Sequence, residues 1–77
     1  MTDNEKFLQH ELEHTKQNIQ NLSNEDILDT FFWTRLERKY YWARDDSIPW
    51  TQTGEDIVSE RVRVIEEEIL RRMTKEN

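Results

Sequence analysis

A chain of 77 residues that is 34% hydrophobic and 36% charged, with one glycine, one proline and no cysteine, makes at most one domain, because a chain this short buries only about 60% of its unfolded surface. That excludes two-domain clefts and glycine-built phosphate loops, and the missing thiols exclude disulfide frameworks, thiol catalysis, iron–sulfur clusters and cysteine zinc sites. The formal charge of −6 argues against nucleic acid as a partner, since affinity for phosphate backbones comes from clustered Lys and Arg.

No run approaches the roughly 20 apolar residues of a membrane span. The polar start Met1-Thr2-Asp3-Asn4-Glu5 is unlike a secretion signal, so the expected location is cytoplasmic.

Thr2 followed by Glu5 is a capping box, the hydroxyl accepting an orphan backbone N–H and the carboxylate reaching back. It predicts a first helix over about 3–21. Leu8, Leu12, Thr15, Ile19 and Leu22 then fall on one stripe, a helix with one buried face. The same helix carries His10-Glu11-Leu12-Glu13-His14, which matches H-E-x-x-H. In zinc proteases two histidines one turn apart bind the metal and the glutamate activates water. Here a third ligand and a substrate groove are missing. His10 and His14 share a face with Phe7, away from the apolar stripe, so they read as surface or interface side chains, and no cofactor is expected. A zinc-dependent hydrolase built on this string is the remote alternative.

Ser23 followed by Asp26 opens a second helix over about 24–45, with Leu22 and Ile27 placed to staple its entry. Its apolar residues form two stripes. Leu28, Phe32, Leu36, Tyr40 and Ala43, with Trp33 at the edge, are expected to face the core. Ile27, Phe31 and Trp42 are then left without cover, which predicts a homo-oligomer, a dimer before higher rings, joined through Phe31 and Trp42. The helix also interleaves its aromatics with Arg35, Arg38, Lys39 and Arg44. Arg35, Arg38 and Tyr41, at the borders of the stripes, are candidate contacts for an anionic small ligand such as a nucleotide.

The helical pattern breaks at Asp45-Asp46-Ser47-Ile48-Pro49-Trp50-Thr51-Gln52, where proline disfavours helix at Ile48. Ile48 and Trp50 beside this proline are recognition anchors for a partner or a lid over the bundle end. Thr53 with Asp56 predicts the cap of a third helix over about 54–74, with Val58, Val62, Ile65, Ile69 and Met73 on its buried stripe. Glu66, Glu67 and Glu68 fan out rather than converge, and the i,i+4 pairs Glu67–Arg71 and Glu68–Arg72 describe a salt-bridged solvent face.

Charge is segregated along the chain, at −5 over residues 1–29, +3 over 30–44, −5 over 45–60 and +1 over 61–77. Such alternation suits elements that pack against one another, or against further copies.

The expected fold is a single all-α domain spanning 1–77, a helical hairpin plus a third helix, completed by oligomerisation. The expected function is non-catalytic: an acidic regulator or inhibitor of bacterial or bacteriophage (viral) type that binds another protein through Phe31, Trp42, Ile48 and Trp50. The alternative is an oligomeric protein that sequesters an anionic small ligand.

Overall fold

A computed structural model of the chain describes residues 1–43 and 49–75, with the backbone alone for Trp42, Ala43 and Lys75. Three helices pack against one another: α1 (Asp3–Asn18), continued by a single 3-10 turn at Ile19–Asn21, then α2 (Asn24–Ala43) and α3 (Gln52–Lys75). No strand occurs among the described residues, and none of the helices is long and apolar enough to cross a membrane.

The first two starts are as the sequence predicts. Thr2 Oγ1 accepts from the Glu5 amide at 3.1 Å while Glu5 Oε1 accepts from the Thr2 amide at 2.7 Å, a complete capping box. Ser23 Oγ accepts from the Asp26 amide at 3.1 Å. The third start differs, because Thr51 and not Thr53 is the cap, its Oγ1 accepting from the Gly54 amide at 2.9 Å. The Thr51 hydroxyl in turn donates to Glu5 Oε2 at 2.7 Å. One carboxylate thus ties the first turns of α1 and α3 together. These hydroxyl and amide donors hold the Glu5 carboxyl below its usual range, Thr51 contributing most.

Helix directions follow from the cross-helix partners. Glu5 meets Thr51, and Arg61 Nε donates to Thr15 Oγ1 at 2.9 Å, so α1 and α3 run parallel. Tyr41 packs with Leu8 and Val58 while Ile27 packs with Ile65, so α2 is antiparallel to both. α3 is the central helix, packed against α1 on one side and α2 on the other.

The core forms two clusters along α3. One holds Leu8, Leu12, Tyr41, Ile57 and Val58, with Trp50 and Val64 against it. The other holds Ile19, Ile27 and Ile65, with Leu22, Phe31 and Ile69 against it. The predicted stripes of α1 and α3 are therefore the packed ones, except that Met73 at the end of α3 is exposed.

Arg72 secures the corner between α1 and α2. Its guanidinium donates to the Leu22 carbonyl at 2.8 Å, the Ile19 carbonyl at 3.2 Å and Asn24 Oδ1 at 2.8 Å, while its Nε donates to Glu68 Oε2 at 2.8 Å. Arg71 grips the same carboxylate. Hydrogen bonds from Arg71 and then from Arg72 hold the buried Glu68 carboxyl down at about 2, despite its desolvation. Glu68 is thus a buried structural carboxylate and not part of a solvent face.

Candidate protein-interaction surface

α2 is turned the opposite way from the sequence expectation. Ile27, Thr34 and Tyr41 are 2%, 2% and 3% exposed and face the core, with Phe31 half-buried beside them. Leu28, Phe32, Trp33 and Tyr40, expected inside, are 57%, 62%, 64% and 50% exposed. Two polar groups decide the orientation. Thr34 is small enough to lie against α3, and its hydroxyl donates to the Thr30 carbonyl at 2.7 Å, so its burial leaves no donor unpaired. The Tyr41 phenol lies inside because its Oη accepts from Asn4 Nδ2.

Tyr41 also packs closely on Gly54, in the first turn of α3. A Cβ there would lie 3.1 Å from Tyr41 Cε1, from Tyr41 Oη and from Thr51 Oγ1. A side chain at this position would crowd the ring, which would have to give by a few tenths of an ångström.

The consequence is an aromatic outer face along α2. Leu28, Phe32, Leu36 and Tyr40 recur every four residues over about 18 Å of helix. The rings of Phe32 and Trp33 meet edge to face, centroids 5.4 Å apart at 79°. At one end the face meets Ile69 and Met73 of α3 in a shallow hollow. At the other it opens into the cleft between α1 and α2, where Trp33, Leu36 and Tyr40 approach Phe7, itself exposed. Exposed apolar side chains are ordinarily scattered singly over a protein surface, whereas these form a contiguous run.

The flanks of this face are charged in two halves. Exposed Glu25, Asp26 and Asp29 stand on the first two turns of α2, and exposed Arg35 and Lys39 on the later ones. The Arg35 guanidinium lies 5.4 Å above the Phe31 ring, a cation–π contact that holds the arginine along the helix. Arg35, Arg38 and Lys39 share an open concavity with Phe31, Phe32 and Leu36.

Among the described residues the sequence-predicted site residues fall in different places, save Phe31, Arg35 and Arg38, which share one concavity. Phe31 is half-buried, packed against the Ile19, Ile27 and Ile65 cluster, and also lines the concavity beside Arg35. Ile48 and the side chain of Trp42 lie outside the described residues. Trp50 folds back on the end of the bundle, its Nε1 donating to Glu55 Oε2 at 2.7 Å and its ring packed on the Leu8 cluster. That is the position of a lid over the bundle end. Of the three candidate anion contacts, Arg35 and Arg38 line the concavity while Tyr41 is interior and faces away from it.

His10 and His14 are exposed on α1, as expected. Glu11, the residue that would activate water, instead faces Arg61 of α3 at 3.8 Å, and Glu13 is engaged with Gln9 and Lys16. Among the described residues no group of three or more His, Asp or Glu converges in a way that could hold a metal ion.

Arg61 also faces Glu37 of α2 at 3.9 Å, so one guanidinium stands between two carboxylates. Glu37 Oε1 is buried and accepts no hydrogen bond among the described residues. Desolvation raises the Glu37 carboxyl above its usual range, with Arg61 opposing the shift and Glu11 adding to it. Comparison of the chain with protein-family models, with curated proteins and with solved structures gave no significant match.

Proposed function

We propose that the chain is a non-catalytic interaction protein, a small regulator or inhibitor that works by applying the outer face of α2 to another protein. The observation that supports this reading is that Leu28, Phe32, Trp33 and Tyr40 are all at least half exposed on one helix whose opposite face already supplies its share of the core. Keeping such side chains in water costs roughly 25 cal/mol for every Å2 that a partner would cover. Aromatic anchors ringed by charge are the composition of protein-binding hot spots.

The test is position-specific photo-crosslinking in cells, with a photoreactive phenylalanine at position 32 or 33 and, as control, at position 66 on α3. The reading expects one defined adduct with a different protein from positions 32 and 33 and none from 66. Adducts from all three positions alike, or from none, would refute it.

A second reading, binding of an anionic small ligand, is favoured by the concavity that Arg35, Arg38 and Lys39 share with Phe31 and Phe32. It expects saturable calorimetric binding of a nucleoside triphosphate that Arg35→Ala abolishes. Heats of dilution alone would remove it.

A further inference from the structure

We infer that, when no other protein covers it, the outer face of α2 is closed by the same face of a second copy, with the two helices antiparallel. The inference rests on the interaction reading above and names the occupant. It moves the self-association surface from Phe31 and Trp42 to the Leu28, Phe32, Leu36 and Tyr40 row.

Charge distribution selects both the occupant and its direction. Glu25, Asp26 and Asp29 precede Arg35 and Lys39 on this helix, and all five are exposed. A parallel pair would set acid against acid at one end and base against base at the other. An antiparallel pair sets the acidic half of each copy against the basic half of the other, and a two-fold axis does this twice. Matching the apolar row to itself gives the register. Leu28 lies level with Tyr40 of the second copy and Phe32 with its Leu36, which brings Asp29 level with Lys39 of the second copy.

Size is also compatible with a dimer. α2 is 20 residues long, so each copy offers a strip about 30 Å by 10 Å, on the order of 600 Å2 for the two together, which fits a weak, transient dimer rather than a standard-size interface. Binding of another protein through this face and self-association then exclude one another, so a partner must compete with the second copy.

Sedimentation equilibrium on the full chain tests the inference, with circular dichroism as a check that each variant is folded. The wild type is expected to dimerise reversibly, and Phe32→Asp to weaken the dimer at least tenfold. Lys39→Glu or Asp29→Lys alone should each weaken it by about threefold to tenfold, counted over two symmetric contacts, and the double reversal should recover most of the loss. A wild type that stays monomeric at several hundred micromolar would overturn the inference. So would a dimer indifferent to Phe32→Asp, and charge reversals that add rather than compensate would overturn the antiparallel register. A monomeric wild type that still gives position-32 adducts with a different protein overturns the pairing alone, and loss of those adducts as well overturns the interaction reading with it.

Discussion

Arg72→Ala removes the side chain that holds the α1 to α2 corner against α3, and its cost can be worked from the contacts. Two of its four hydrogen bonds go to the carbonyls of Ile19 and Leu22, at 3.2 and 2.8 Å, and both are partly buried. Bonds from a charged donor contribute about 1.5–3 kcal/mol each. The exposed bond to Asn24 is replaced by water at little cost, and Glu68 keeps Arg71 after the truncation. Counting the two carbonyl bonds at the lower value gives a loss of about 3 kcal/mol. For a domain of this size that corresponds to a fall of roughly 15 °C in the unfolding midpoint. Arg72→Lys keeps the charge but not the planar fork, and should recover less than half of the loss. Urea unfolding followed by far-ultraviolet circular dichroism measures both variants. A loss below about 1 kcal/mol for Arg72→Ala would refute the claim that this corner is fastened by hydrogen bonds rather than by the packing of Ile19, Leu22 and Ile27.

Gly54→Ala should destabilise the fold by about 1 kcal/mol although alanine is the better helix former, because its methyl would press on the Tyr41 ring at 3.1 Å. Tyr41→Phe should relieve part of that cost in a double-mutant cycle, and a stabilised Gly54→Ala would contradict the close approach. Glu68, held at about 2 in the folded protein against 4.5 ordinarily, contributes stability that is complete above pH 4.5 and lost as pH falls from there toward 2. The difference in unfolding free energy between wild type and Glu68→Gln should therefore be largest near neutrality and shrink across that window, and a constant difference would count against the buried carboxylate. Glu37 carries the opposite shift, favouring the protonated form in the folded state. Its destabilising effect at neutral pH should fade as pH falls through its raised value, and Glu37→Gln should match or exceed the wild type in stability at pH 7. A clear loss there would mean that the Arg61 attraction outweighs desolvation.

Local signals in the sequence carried well into the structure where one residue decided the outcome by its own chemistry. Thr2 with Glu5 and Ser23 with Asp26 are short-range caps, and both helices begin there. The single apolar stripes of α1 and α3 left one way to face inward, and Leu8, Leu12, Val58, Val62 and Ile65 are buried accordingly. Thr51 was chosen over Thr53 by a contact 46 residues away, the Glu5 carboxylate, which no local pattern contains.

The face of α2 was not legible for a related reason. Both of its sides are apolar, so periodicity alone could not rank them. Counting large hydrophobic residues favoured the Leu28, Phe32 and Tyr40 side, whereas the packed side is the one where Thr34 and Tyr41 find partners for their hydroxyls and where Gly54 leaves space. Thr34, four residues after Thr30, was the available sign, since a threonine on a helix satisfies its hydroxyl one turn back and can then be buried. With the orientation reversed, the aromatic side chains expected inside become the candidate site.

That reversal is the point on which the functional reading depends, and two adjacent residues of equal size test it. Ile27→Ala and Leu28→Ala should be compared by urea unfolding at protein concentrations low enough to keep the chain monomeric. Ile27 is 2% exposed and Leu28 57%, so the expected losses are about 3 kcal/mol for the first and within roughly 0.5 kcal/mol for the second. Equal losses, or the larger one at Leu28, would mean that the outer face of α2 is the core after all and has no surface to offer a partner.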